Sequence, residues 1–200
     1  MDTYSAVILA GGKSRRMGRD KLALELDGLT LLESAVERFS RGFAAVYISV
    51  ADAGKYPGIM SPRVVDAIPG AGPLSGLHAA LSQLPCDGVF LVAADLPFSR
   101  PDAALRIIEL CGGRDAAVIE LADGKIEPLF GYYRKSLLPS CEAALASGDF
   151  RMSEVLRRGD ARYVSPGELG GLWDERLIFN VNFPDDFRKA TIEFLPRRMA

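Results

Sequence analysis

The chain has 200 residues, 48% of them hydrophobic and 25% charged, with 24 Lys and Arg against 26 Asp and Glu for a net charge of −2. At about 150 residues per domain, this length predicts a single domain. The near-neutral balance excludes the basic excess of a general nucleic-acid binder, while a local basic pocket stays open. No apolar run reaches the roughly 18 residues of a membrane span. The start Met1-Asp2-Thr3-Tyr4-Ser5 lacks the basic region of a secretion signal, so a soluble, cytoplasmic protein is expected. Cys86, Cys111 and Cys141 are far apart and form no CxxC pair. That argues against a disulfide framework or a structural zinc site, and for small hydrophobes in a reducing compartment.

In chain order, Ala6–Ala10 is apolar at every position, as a central buried strand requires. Leu32, Ala35, Val36 and Phe39 then repeat at helical spacing. Val46–Val50 and the shorter Val64-Val65 read as strands, and Leu74 to Leu84 as a helix. Val89–Ala93 is another buried strand, and Pro101 suits the first turn of a helix, where its missing N–H is not needed. Further strands are expected near Ala116 to Leu121, Glu127 to Tyr133 and Leu177 to Val181, with a last helix opening at Pro184. The alternation predicts βαβ units in a three-layer αβα fold, its mostly parallel central sheet mixed or antiparallel at an edge. Ligands in such sheets sit beyond the carboxyl ends of the strands.

Directly after the first strand, residues 9–21 read Leu-Ala-Gly-Gly-Lys-Ser-Arg-Arg-Met-Gly-Arg-Asp-Lys, with the cations Lys13, Arg15, Arg16, Arg19 and Lys21. Glycines let the backbone approach a ligand and turn N–H groups toward phosphate, and Arg and Lys neutralise its charge. The segment fits neither the Walker A spacing nor the dinucleotide fingerprint. A solvated basic loop is the plainer alternative. Asp95 ends the most apolar strand in the sequence Ala94-Asp95-Leu96-Pro97. A carboxylate there is costly to bury without a cation, and it suits Mg²⁺, which prefers carboxylate, phosphate and water oxygens. Helix capping is the competing role, several residues too early. His78 is the single histidine, which gives no multi-histidine metal site and no nucleophile–base pair, so packing is its expected part.

The first of these segments resembles the L-A-G-G-x-S-x-R-M-G-x-D-K signature of the molybdenum cofactor nucleotidyltransferases, which share a glycosyltransferase-A-like fold. Residues 70–76, Gly-Ala-Gly-Pro-Leu-Ser-Gly, resemble the G-P-L-x-G loop that wraps the base. Residues 127–133, Glu-Pro-Leu-Phe-Gly-Tyr-Tyr, are similar to E-P-L-x-x-x-Y. Residues 180–186, Asn-Val-Asn-Phe-Pro-Asp-Asp, are similar to N-x-N-[T]-P-x-D, with Phe183 in place of the usual Thr. The last two narrow the resemblance to molybdenum cofactor guanylyltransferases. The matches run in order from Leu9 to Asp186.

The resemblance implies transfer of GMP from GTP to the terminal phosphate of the molybdenum–molybdopterin cofactor, with release of pyrophosphate. Arg16 and Lys21 are the implied phosphate pair and Asp95 the Mg²⁺ ligand. Leu9, Ala10, Gly11, Lys21, Ser49, Asp66 and Asp95 are the implied nucleotide contacts. Ser49 is equally readable as a solvent-facing strand residue, and Asp66 as a turn-former. Glu127, Arg151, Asn180 and Asn182 fall on the acceptor side, although Glu127 also reads as an edge-strand charge. Two residues apart on a strand, Asn180 and Asn182 would share a face, and their amides suit either Mg²⁺ or a pterin. Asp185 and Asp186 suit the start of the following helix. About residues 1–100 would then bind nucleotide and about 101–200 the acceptor. A phosphate nucleophile is already ionised, so no general base is needed. The Leu-Ala-Gly-Gly form marks guanylyl members, where cytidylyl relatives carry Leu-Ala-Ala-Gly. Cofactor-delivering and molybdoenzyme-maturation proteins are the implied partners, with neither nucleic acid nor membrane. A cytidylyl or sugar-phosphate nucleotidyltransferase, or a non-catalytic GTP-binding regulatory module, remain the competing readings.

Overall fold

The computed structural model describes residues 4–11, 20–66, 68 and 70–194. Its core is a seven-stranded sheet built from β1 (Ser5–Leu9), β4 (Ala45–Val50), β5 (Arg63–Val65), β6 (Gly88–Ala93), β7 (Ala116–Glu120), β8 (Ile126–Arg134) and β9 (Ala161–Val164), in the order β5-β4-β1-β6-β8-β7-β9. A two-stranded hairpin, β2 (Glu25–Leu26) with β3 (Leu29–Thr30), stands apart from it. β1 pairs in parallel with both β4 and β6, which explains why all five of its residues are buried. β8 runs antiparallel to both β6 and β7. The antiparallel strand expected at an edge therefore lies inside the sheet, and the outer strand β9 is parallel to β7.

Alternation along the strands creates two cores. Ala6, Ile8, Phe90 and Val92 point to one face, where α1 (Leu31–Ser40) and α3 (Pro101–Leu110) supply Leu32, Phe39, Ala103 and Ile107. Val7, Leu9, Val89 and Leu91 point to the other, covered by α2 (Pro73–Gln83), α4 (Leu138–Ser147) and α5 (Met152–Arg158). The period of two is what lets one strand serve both layers. Phe90 joins the first core by stacking on Phe39 at 6.2 Å between centroids and meeting Phe130 edge-on at 4.9 Å. A Thr30–Glu33 capping box starts α1, satisfying N–H groups that the helix itself cannot.

The helix at residue 101 forms as expected, and so does α7 (Pro184–Lys189) after the short α6 (Pro166–Leu169). The strand expected over 177–181 does not form. Glu175–Ile178 is instead a 3₁₀ turn capped by the Asp174 carboxylate, which accepts from the Arg176 N–H at 2.9 Å. Leu177 enters the main core, whereas Val181 packs in a separate cluster with Leu24, Leu26, Leu31 and Ala190. The apolar run is thus divided between two cores rather than laid on one sheet face. No described helix is long and apolar enough to cross a membrane. All three cysteines are free thiols, with Cys111 and Cys141 buried.

Candidate functional site

Because β1, β4, β5 and β6 are parallel, their carboxyl ends share one rim of the sheet. The antiparallel β8 brings its amino end, with Glu127, to the same rim. There the Ala10 N–H donates to the Ser49 carbonyl at 2.9 Å, and the Ala94 N–H to the Leu9 carbonyl at 3.2 Å. These bonds extend the strand pairing by one residue and hold Leu9, Ala10 and Asp95 side by side in the fold.

On the β4 and β5 side, the Ser49 hydroxyl donates to Asp66 at 3.0 Å. Ser49 is buried rather than solvent-facing. Burial pushes the Asp66 carboxyl above its usual range, and the Ser49 hydrogen bond partly offsets this. Gly11 is exposed, and a Cβ built on it would meet Asp66 Oδ2 at 4.0 Å. Gly11 thus faces the same carboxylate. Its backbone is not in the left-handed region, so no unusual angle calls for a glycine there.

Gly76, in the first turn of α2, was present in the quoted motif without a role of its own. A Cβ there would lie 2.5 Å from Ser49 Oγ and 2.7 Å from Leu9 Cδ2. The helix can therefore lie against Ser49 only because residue 76 has no side chain. The sequence signal was the glycine itself, four residues past Gly72, but its contact partner lies in a distant strand.

On the β6 side, Asp20 caps the 3₁₀ turn Lys21–Ala23, accepting from the Leu22 N–H at 3.1 Å. That turn sends the Lys21 ammonium to Asp95 Oδ2 in an ion pair and to Asn182 Oδ1 at 3.0 Å. Asp95 is 8% exposed, and its second oxygen, Oδ1, is buried without a hydrogen-bond partner. Asn180 Oδ1 is in the same condition. Asn180 and Asn182 flank Val181, whose N–H donates to the Asp95 carbonyl at 3.0 Å. The two asparagines are therefore brought to Asp95 by this bond and not by a sheet ladder. Downstream, the Asp186 carboxylate accepts from the Asn182 and Phe183 N–H groups at 2.9 and 2.8 Å, fixing the backbone at the start of α7. Asp186 thereby takes the capping part expected of it. Glu127 is half-buried and accepts from the Leu129 N–H at 2.9 Å. Burial raises its carboxyl above the usual range, the Leu129 bond lowers it, and the Asp95 charge raises it further. Glu127 thus shares the electrostatic environment of Asp95 and is no edge-strand charge, since β8 is interior.

Of the remaining expected residues, Arg151 falls elsewhere and Arg16 is not among those described, nor are Lys13, Arg15 and Arg19. Arg151, at the start of α5, is exposed and paired with Asp149, whose carboxyl the guanidinium holds down to about 2. It borders a cleft of about 600 Å³ shared with Gly70, Gly72 and Pro73, beside the second glycine loop. Its guanidinium donates to Asp149 through Nε and Nη2. His78 sits half-buried in α2, with its Nδ1 buried and without a hydrogen-bond partner. A cleft of about 620 Å³ at the opposite rim, lined by Tyr4, Gly88 and Arg134, lies at the amino ends of the parallel strands, away from these groups.

A buried, unsatisfied carboxylate oxygen beside a lysine, with a second unsatisfied oxygen, an amide's, two residues from that lysine's Asn182 partner, can hold a hard cation and an anion together. Among the described residues there is no cluster of three or more His, Cys, Asp or Glu side chains able to hold a metal alone. This sparse donor set fits a divalent ion that completes its coordination with phosphate oxygens.

The comparisons with known proteins agree with this arrangement. The family model of the MobA-like NTP transferase domain matches residues 6–163. The chain is 37% identical over 192 residues to a probable molybdenum cofactor guanylyltransferase of Pelotomaculum thermopropionicum, covering 94% of this chain and 92% of that one. It is 34% identical over 196 residues to the molybdenum cofactor guanylyltransferase of Rhizobium johnstonii, covering 93% and 90%. The crystal structure of molybdopterin-guanine dinucleotide biosynthesis protein A from Archaeoglobus fulgidus superposes with a TM-score of 0.80 at 28% identity, covering 94% and 96%. A nucleotidyltransferase sheet with its lysine, aspartate and asparagines gathered at one rim, matched along nearly the whole chain, places this protein in the MobA-like NTP transferase family.

Proposed function

We infer that the protein is a molybdenum cofactor guanylyltransferase, transferring GMP from GTP to the terminal phosphate of the molybdenum–molybdopterin cofactor. The observation that carries this reading is the Lys21–Asp95–Asn182 group, with Asp95 Oδ1 left unsatisfied where the strands end. In the reaction an acceptor phosphate oxygen forms a bond to the α-phosphorus of GTP. The bond from that phosphorus to the bridging oxygen breaks, and pyrophosphate leaves with the electron pair. The nucleophile is already ionised, so catalysis rests on positioning and charge stabilisation.

Asp95 and Asn180 would hold Mg²⁺, which neutralises phosphate charge when bound. Lys21 is poised to exchange Asp95 for the triphosphate, and Arg16 is proposed to share that load. Leu9, Ala10 and Gly11 line the nucleotide, with Ser49 and Asp66 toward the base. Asp66 suits guanine because a carboxylate accepts from adjacent N–H donors such as N1 and N2. Glu127, Asn180 and Asn182 are proposed to meet the acceptor, and Arg151 an acceptor phosphate from beside the second loop. On this division, residues up to about 100 bind nucleotide and the remainder bind acceptor. The products of a reaction holding GTP, CTP, Mg²⁺ and molybdenum–molybdopterin, separated by chromatography, test the reading. A guanine dinucleotide supports it, and a cytosine dinucleotide or no dinucleotide overturns it.

A further inference from the structure

Tyr56 lies in the loop between β4 and β5 and belongs to none of the motifs already described. Its backbone has φ 53°, a left-handed conformation that a bulky residue adopts only when its surroundings impose it. Arg63, the first residue of β5, imposes it. Its Nη2 donates to the Tyr56 carbonyl at 2.8 Å and approaches the Lys55 and Ile59 carbonyls at 3.4 Å. Its Nε reaches the Lys55 carbonyl at 3.3 Å and its Nη1 the Ser61 carbonyl at 3.4 Å. The Lys55 ammonium rests over the Tyr56 ring at 5.8 Å. A loop of this length held by one guanidinium is a built support for whatever its side chain touches.

The side chain touches the ends of the glycine-rich basic segment. The Tyr56 hydroxyl donates to Asp20 Oδ2 at 2.8 Å and lies 3.5 Å from the Ala10 carbonyl oxygen. The other Asp20 oxygen caps the turn that begins with Lys21. Asp20 is therefore fixed from both sides, by the turn it caps and by a phenol from another loop. Burial and the neighbouring Asp20 carboxylate push the Tyr56 hydroxyl well above its usual range, so it remains a donor. At its far end the same loop runs through Arg63 and β5 into Asp66.

We propose that Tyr56 is a positioning residue of the nucleotide site: its hydroxyl fixes the Asp20 carboxylate, which sets the turn that aims Lys21. Because Arg63 anchors this loop just before Asp66, the phosphate-facing lysine and the base-facing carboxylate are held to one another through a single support. The proposal rests on the reading of this rim as a nucleoside triphosphate site.

The test is a calorimetric titration of the four ribonucleoside triphosphates with Mg²⁺ into the full chain, with the thermal midpoint of every variant measured alongside. Tyr56→Phe removes one hydrogen bond to a charged group, and about a tenfold loss of affinity for the favoured nucleotide is expected, with the midpoint held. In a Lys21→Ala background the same change should cost nothing further, since its route runs through that lysine. Asp20→Asn keeps one acceptor oxygen for the cap and turns its N–H₂ to donate to the Tyr56 oxygen, and should lose less affinity than Asp20→Ala, which should repeat the full loss. The Asp20 pair also carries the test if Tyr56→Phe folds poorly. Unchanged affinity in Tyr56→Phe or Asp20→Ala overturns the proposal, and so does an equal loss with and without Lys21. A wild type that favours a base other than guanine unseats the guanylyl reading and leaves the Tyr56 comparison intact.

Discussion

Two residues decide between close alternatives at the site. Asp95 shares one oxygen with Lys21 and leaves the other buried and unsatisfied. Asp95→Asn removes the charge without changing the shape, while Lys21 keeps its 3.0 Å bond to Asn182. We expect folding, read by circular dichroism, to survive, and turnover to fall by more than about a hundredfold at limiting Mg²⁺, the scale of lost metal-assisted charge stabilisation. Turnover near wild type at limiting Mg²⁺ would remove Asp95 from the metal site. Gly11 makes a different point. The nearest described atom to an added Cβ is Asp66 Oδ2 at 4.0 Å, and the backbone angle suits any residue. Gly11→Ala should therefore change stability by about 0.5 kcal/mol or less. Its methyl would nevertheless stand beside Asp66, where a purine would lie. We expect the GTP over CTP preference to narrow in competition assays while the thermal midpoint holds. An unchanged ratio would place the base elsewhere.

At the level of elements, the sequence is most legible where burial is complete. β1, β4 and β6 read clearly because mostly apolar residues fill both faces of each strand, α1 because its apolar positions repeat at helical spacing, and α3 because Pro101 opens it. The hairpin β2–β3 and strand β9 are too short and polar to stand out, and α4 and α5 carry mixed outer faces. The run at 177–181 misleads for a physical reason: Leu177 and Val181 are both buried, but in different clusters. Of the site, the motifs are legible and their contacts are not. Lys21 meets residues 74 and 161 positions away, and nothing in the local sequence records that pairing. Tyr56 gave no signal, since its position at φ 53° is set by Arg63. Gly76 shows how one element depends on another. Its Cβ would stand 2.5 Å from Ser49 Oγ, and the Ser49–Asp66 bond leaves that hydroxyl little room to turn away. Gly76→Ala should cost about 1–3 kcal/mol by overpacking. A thermal midpoint lowered by several degrees, together with weaker base discrimination, would show it. An unchanged midpoint would mean that α2 shifts freely.

For the whole molecule, the interior position of β8 matters most. An antiparallel strand between β6 and β7 carries Glu127 to the same rim as Asp95, so both halves of the chain contribute to one site. The segment after the last 3₁₀ turn completes it by bonding Val181 to Asp95 and Asn182 to Lys21. On the proposed reading, the two phosphate-bearing substrates would meet at this rim, with the acceptor phosphate as the nucleophile. The measurement that tests the account most directly follows the phosphorus. GTP labelled at the α-phosphate is incubated with the protein, Mg²⁺ and molybdenum–molybdopterin, and a parallel reaction carries the label at the γ-phosphate. The account predicts that the α-label enters the dinucleotide product while the γ-label appears in pyrophosphate. A γ-label recovered as free phosphate or on the acceptor, with GDP as the nucleotide product, would contradict it.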